Sequence, residues 1–292
     1  MPTANIRPDR IATLYFVRPL RQLVRPETTG LPILMYHSIS AGGDAGRNAY
    51  YRTCTAPSVF AEQMAFLARN GYQTIGMSEA IRRIGGAGRS TDKSVVITFD
   101  DGYGDFYTEA FPILCRFGYT ATVFLPTAYI GQTAQRFNGA MCLAWSQARE
   151  LQKAGIEFGS HTVTHPQLRM VGRTQLRDEV QHSRSNIEDE LGCPVESFSY
   201  PYAFPEADRS FVRQLRDILE EAGYKNGVST IIGTASQTDD QLFLRRLPAN
   251  SDDDLPLFSA KLDGAYDWLH AFQYAAKLMT RRNMVPAVST IA

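Results

Sequence analysis

One stretch constrains this chain more than any other. Val95-Val96-Ile97-Thr98-Phe99 runs straight into Asp100-Asp101-Gly102-Tyr103. Val95, Val96 and Ile97 are β-branched aliphatics and Phe99 is aromatic, which is the pattern of a buried strand. A strand interior does not tolerate unpaired charge. The two carboxylates therefore belong where the strand ends and a loop opens, and in α/β folds ligands bind at that carboxyl end. The dipeptide alone reads more readily as an Asx turn that stops a strand.

The rest of the chain supplies the partners for such a strand. Pro32–Tyr36, Gln73–Met77, Thr120–Leu125, Ile156–Gly159, Phe198–Tyr202, Gly227–Thr230 and Leu242–Leu247 read as further strands. Between them lie helical patterns at 57–70, 78–85 (with Ser78 as N-cap), 104–117, 146–154, 173–191 and 206–222. The clearest is 173–191, where Leu176, Val180, Ile187 and Leu191 recur at helical spacing before Gly192. Strands alternating with helices imply a parallel sheet with right-handed crossovers. About seven strands before residue 250 predict an α/β fold, a distorted (β/α) barrel with a C-terminal helical tail. No GxGxxG follows a first strand, which counts against a dinucleotide fold. A loop of roughly 20 residues after Pro126 is long enough to be functional.

The reading divides the chain into an N-terminal extension (1–30), a central domain (31–250) and a helical extension (251–292). Thirty basic and thirty acidic residues balance, and no polybasic run suggests nucleic acid as a partner. The four cysteines are widely spaced with no CxxC pair, so neither a zinc knuckle nor a dithiol site is indicated. No clear signal peptide or membrane span is read, so the expected location is the cytoplasm. Residues 5–25 nevertheless allow a peripheral membrane-surface contact. In the tail, Asp252-Asp253-Asp254 reads as a solvated charge run. Trp268, Leu269, Phe272, Ala276 and Met279 form a stripe expected to pack on the main domain, with Lys277, Arg281 and Arg282 as the basic flank of an alternative docking helix. Oligomeric state is not legible.

A second cluster, Ser160-His161-Thr162-Val163-Thr164-His165, again follows a predicted strand. Two histidines four apart can aim both imidazoles at one point. With one carboxylate from the Asp pair the set becomes two nitrogens and one oxygen, which suits a divalent metal with open positions. Zinc is the first expectation, with cobalt, nickel, manganese or iron as alternatives. The second carboxylate would then be free to take a proton from an attacking water. That chemistry is hydrolysis of an amide or ester.

Thr98-Phe99-Asp100-Asp101-Gly102 and Ser160-His161-Thr162-Val163-Thr164-His165 resemble the first two motifs (TFDDG and SHTxxH) of the polysaccharide deacetylases, the NodB-homology family of carbohydrate esterases. The resemblance spans roughly residues 31–250. It implies a distorted (β/α) barrel that removes N-acetyl groups from acetylated sugars with a divalent metal. Carried over, Asp101, His161 and His165 are the metal ligands, Asp100 is the base, and the Tyr103 amide helps hold the oxyanion. Two rivals stay open: a non-catalytic glycan-binding protein of the same fold, and a barrel amidohydrolase acting on another substrate.

Two departures from the family pattern matter. The third motif lacks its arginine: Ser199-Tyr200-Pro201-Tyr202-Ala203 stands where Arg-x-Pro-x-Gly is usual. Arg245 or Arg246 could supply the guanidinium from another strand end, and Tyr200 and Tyr202 could line a sugar groove or belong to the core. The late Leu-x-His is also absent. Instead Met35-Tyr36-His37 resembles the permuted branch that includes the poly-N-acetylglucosamine deacetylases of exopolysaccharide biosynthesis. There the early histidine, here His37, is implied as the acid that protonates the leaving amine. Lys261–Trp268 is similar to a segment of the same branch.

Overall fold

A computed structural model describes residues 7–24, 30–42, 52–85 and 93–284, with side chains described to Leu278. Seven parallel strands close into a barrel: β1 (Ile33–Tyr36), β2 (Ser94–Phe99), β3 (Thr122–Leu125), β4 (Glu157–Ser160), β5 (Ser197–Ser199), β6 (Asn226–Ile232) and β7 (Leu244–Pro248). Around the barrel the order is β1-β7-β6-β5-β4-β3-β2, and β2 pairs back onto β1. The expected fold class is therefore the observed one. Gln73–Thr74 adds two residues outside β2, and the expected strand there stops early because Met77 already begins a helix.

Pleat parity divides each strand between two cores. Val95, Ile97 and Phe99 face the helices, where Phe60, Met64 and Leu67 of the helix Pro57–Arg69 join them in one fully buried cluster. Val96 points into the barrel and meets Ile33, Phe124, Val228 and Leu244 there. Each large apolar side chain so buried contributes about 1.5–3 kcal/mol. The next inward positions of β2 are Thr98 and then Asp100, so polar chemistry begins where the apolar plug ends.

Several local expectations shift. Ser78 does not cap the helix Met77–Gly85. Instead Glu157 on β4 accepts from the Met77 amide at 2.8 Å, so a distant carboxylate fills the role that a local hydroxyl was expected to play. The predicted 104–117 helix forms as a π turn (Phe106–Ala110) leading into Phe111–Arg116. Pro112 lacks an N–H, which explains the loosened turn before it. Within the long loop, Arg136–Phe137 and Ala140–Met141 pair as a small ribbon.

The acidic run is solvated only in part: Asp254 is exposed and Asp252 half-buried, but Asp253 is not. Asp253 is buried and pairs with buried Lys261 at 2.7 Å and with Arg7 at 3.1 Å. Asp254 caps the helix Leu255–Leu262 through the Leu257 amide and binds Arg10 at 2.6 Å. Cations from the N-terminal segment and the tail meet these acids, which no local pattern announces. The stripe on the last helix, Leu269–Met284, also divides. Leu269 packs on the core, while Phe272 and Ala276 face outward. The contact is made through Gln273, which donates to the Thr230 carbonyl and accepts from the Ile232 amide. The side chains of Met279, Arg281 and Arg282, and loop glycines 43 and 46, lie outside the described set. No helix among the described residues is long and apolar enough to cross a membrane.

Candidate active site

The carboxyl ends of β1, β2, β4, β5 and β7 bring the candidate residues together. Asp101, just after β2, adopts a left-handed backbone (φ 71°) that turns its side chain away from that of Asp100. Gly102 follows at φ 57°, and a Cβ there would lie 2.8 Å from Leu125, so glycine is required by both conformation and space. The loop after β4 is bent similarly, with Thr162 at φ 69° and His165 at φ 55°. Such conformations cost about 1–3 kcal/mol each and persist only where their surroundings hold them.

The restraint comes from one carboxylate. Glu179, buried on the helix Arg173–Leu191, accepts from the Val163 and Thr164 amides at 2.8 Å each and from the Thr164 hydroxyl at 2.6 Å. Thr162 Oγ1 accepts from the His165 amide at 3.0 Å. The result aims both imidazoles at Asp101. Asp101 Oδ1 lies 3.5 Å from His161 Nε2 and 3.3 Å from His165 Nε2, and the two Nε2 atoms are 3.1 Å apart.

These residues fit a divalent cation. Among the described residues, Asp101, His161 and His165 offer ligand atoms all within 4.8 Å of one another, and all three are buried. Asp101 Oδ1 is buried with no hydrogen-bond partner. His161 Nδ1 lies 2.8 Å from the Ser199 carbonyl. Donation there leaves the Nε2 lone pair facing the cluster, the usual arrangement for a ligating imidazole. Electrostatics divide the pair. Burial opposes charge on both rings, but the Asp100 and Asp101 carboxylates hold the His161 pKa above its usual value. His165, next to His161, falls to about 4. Burial also opposes ionisation of Asp101, yet the adjacent His161, with His37 and His165, keeps its pKa below the ordinary carboxylate value.

Beside this cluster sits a second carboxylate of different character. Asp100 is 2% exposed, and Arg246 grips it in a fork, Nη1 to Oδ1 at 2.8 Å and Nη2 to Oδ2 at 2.7 Å. The Ser199 hydroxyl also donates to Asp100 Oδ1 at 3.1 Å. Burial pushes the Asp100 pKa up, but Arg246 overrides it and holds the group well below the usual carboxylate range. The guanidinium is itself fixed by the Ser229 carbonyl and Thr98 Oγ1. Arg246 is thus the guanidinium that meets Asp100, while Arg245 pairs with Asp239 instead. Ser199, which looked like a departure, contacts both His161 and Asp100.

His37 follows β1, level with Asp100 because Tyr36 pairs with Phe99. It is half-buried, and its electrostatic influence reaches Asp100, Asp101 and His165. The Tyr103 backbone forms a bridge to Cys142 through the flanking bonds Gly104 N–H to Met141 and Leu143 N–H to Gly102, so the bridge does not use the Tyr103 amide. Tyr202, half exposed at φ 60°, packs at a tilt against His165 with ring centroids 4.6 Å apart and stands at the rim with Tyr129 and Phe137. Tyr200 does not line the groove. It is buried against Phe204 and Phe211, because its position on the β5 end points to the helix side, and Pro201 is buried next to it. His270 pairs with Glu206 away from the cluster, and His182 faces solvent.

Glu179 carries no motif that sequence reasoning recognised, and Ser199 enters it only as a departure from the third motif. Glu179 did leave one signal, an acid on the buried face between Leu176 and Val180.

Comparisons with known proteins agree with this geometry. The family described as polysaccharide deacetylase matches residues 87–227. A Bacillus subtilis (strain 168) protein, YxkH, whose name places it among the polysaccharide deacetylases, is 31% identical over 236 residues, 81% of this chain and 75% of that protein. The poly-beta-1,6-N-acetyl-D-glucosamine N-deacetylase of Escherichia coli (strain K12) is 30% identical over 142 residues, 46% of this chain but only 20% of that protein. Among solved structures, the Streptococcus pyogenes deacetylase PplD in complex with acetate superposes with a TM-score of 0.70 at 26% identity, covering 80% of this chain and 98% of the other. IcaB from Ammonifex degensii, at 22% identity, shares the fold (TM-score 0.69, covering 81% and 98%). The metal-type triad at the mouth of a seven-stranded barrel and the match to YxkH along most of both chains lead to one conclusion: the chain belongs to the polysaccharide deacetylase family.

Proposed function

We propose that this chain is a divalent-metal-dependent N-deacetylase acting on an acetamido sugar within a glycan, with poly-N-acetylglucosamine as the leading substrate class. The observation that carries this reading is the convergence of Asp101, His161 and His165 on one point beside an ionised Asp100. A cation held by those three residues would supply Lewis acidity, polarising the acetyl carbonyl and lowering the pKa of water. Zinc is the first choice for two imidazoles and a carboxylate. Asp100 takes the proton as water attacks the carbonyl carbon, and Arg246 keeps that carboxylate ionised beforehand. The Tyr103 amide, which the bridge to Cys142 does not use, would donate to the developing oxyanion. His37 gives a proton to the amine nitrogen as the C–N bond breaks, releasing acetate and a free amino sugar. Tyr202 offers an aromatic face to a sugar ring at the rim.

A purely sugar-binding role is disfavoured by cost. Burying Asp100 with a dedicated arginine beside a ligand triad serves proton transfer, and recognition of a neutral sugar needs neither. The test is acetate release from chito-oligosaccharides and from β-1,6-linked N-acetylglucosamine oligomers, with and without a chelator. Asp100→Asn should keep bound metal and lose acetate release by at least about a hundredfold. Wild-type rates in that variant would refute the base assignment.

A further inference from the structure

The N-terminal helix faces the wrong way for a helix bathed in water. It runs without a break through three helical pieces, Pro8–Ala12, Thr13–Val17 and Arg18–Val24. A surface helix normally buries its apolar stripe and shows its charges. Here the charges are turned inward. Arg7 binds the Asp252 carbonyl and Asp253, Arg10 binds Asp254, and Arg18 binds Asp263. Arg21 donates to the Asp263 carbonyl. The outward face carries Ile11, Tyr15, Phe16, Leu20, Leu23 and Val24.

The neighbouring helix extends this face. Trp268 donates from Nε1 to Thr13 Oγ1 at 3.0 Å and packs edge-on against Phe272 at 5.3 Å. Phe272 and the five residues from Tyr15 to Val24 on the outward face are each between 62% and 82% exposed. Six large side chains so displayed exceed the scattered apolar exposure of an ordinary monomer surface.

We propose that this face docks on an anionic lipid surface, with the N-terminal helix lying flat in the headgroup boundary. Charge complementarity selects lipid over a protein partner. From Arg10 to Arg25 the sequence contains Arg10, Arg18, Arg21 and Arg25 and no acidic residue. Arg10 and Arg18 are matched by Asp254 and Asp263, whereas Arg21 bonds a backbone carbonyl, and it is this half-buried arginine at the flank of the stripe whose charge meets lipid phosphate while its stem covers apolar surface. The outward face itself carries no charge that could fix the register of a protein partner. A helix about 25 Å long with this distribution lies in the interface and does not span it. The ion pairs beneath it hold it rigid, so little ordering entropy opposes binding.

The experiment is flotation of the full chain with vesicles of equal parts phosphatidylcholine and phosphatidylglycerol, comparing wild type with Leu20→Glu/Leu23→Glu. Both positions are exposed, and an unchanged thermal melt confirms the fold. The wild type should float, and the double variant should partition at least about tenfold more weakly. The proposal is overturned if the wild type stays with the protein that does not float, or if the variant floats equally. It is also overturned if light scattering shows a wild-type dimer that the double variant converts to monomer, since a second copy would then cover the face. None of these outcomes depends on catalysis.

Discussion

Arg246→Met tests the physical logic of the site most directly. Arg246 is 1% exposed and Asp100 is 2% exposed. The substitution removes two bonds to Asp100, at 2.8 and 2.7 Å, and others to the Ser229 carbonyl, Thr98 and Ser199. What remains is a buried carboxylate without its counter-charge, stabilised by the Ser199 hydroxyl at 3.1 Å. Breaking a buried pair from one side costs about 3–5 kcal/mol, which for a chain of this size lowers Tm by on the order of 10 °C. Asp100→Asn/Arg246→Met removes both charges, so it should recover at least about half of that loss. Asn can still accept from Ser199. Catalysis should behave oppositely. With the guanidinium gone, burial raises the Asp100 pKa, and the acid limb of the kcat/KM profile moves to higher pH. The double variant regains stability and stays inactive. Calorimetric melts and pH profiles of acetate release read the two effects separately. Equal stability of the single variant and wild type, or a double variant no more stable than the single, would show that the pair is not the electrostatic unit described.

Three further outcomes are expected. His161→Ala or His165→Ala should lose the divalent metal to dialysis, measured by elemental analysis, because two protein ligands hold a cation poorly; full metal content would place the ion elsewhere. Glu179→Gln puts an amide donor where three donors already converge, so metal affinity should weaken about 10–100-fold in a competition titration with a chromophoric chelator. Unchanged affinity would make Glu179 a fold residue only. Finally, Asp9 and Asp254 are each opposed by burial but overcompensated by hydrogen bonds from Arg7 and Tyr266, and from Arg10, so both pKa values lie below the unfolded 3.8. Depressed carboxylates stabilise the fold above the unfolded pKa and lose that contribution as pH falls through the lowered one. The N-terminal helix should therefore loosen as pH falls from the unfolded value toward the lowered ones, seen as a change in tryptophan emission that Trp268→Phe abolishes. An emission flat down to full protonation would contradict the docking role of these pairs.

The strand Ser94–Phe99, the two aspartates at its end and the histidine pair after Glu157–Ser160 were legible in the chain because each is a local pattern. Apolar residues in series mark a strand, and charge that a strand cannot bury marks where it stops. The same locality made the barrel legible, since alternating strands and helices leave few ways to bury both. The choice of Arg246 over Arg245 was not legible. Leu242-Phe243-Leu244 is apolar on both faces, as strands of a parallel barrel are, so no alternation revealed which arginine points inward. Tyr200 and Tyr202 looked equivalent for the same reason, and only the turn at φ 60° sends one to the rim. Asp253, read as solvated, is buried because Arg7 and Lys261, from opposite ends of the chain, meet it. Sequence alone determined which groups can bear charge and where the backbone must turn. Which charges face one another was decided by closure of β1 on β2 and β6 on β7, because a Coulomb partner is chosen by distance through space and not by separation along the chain.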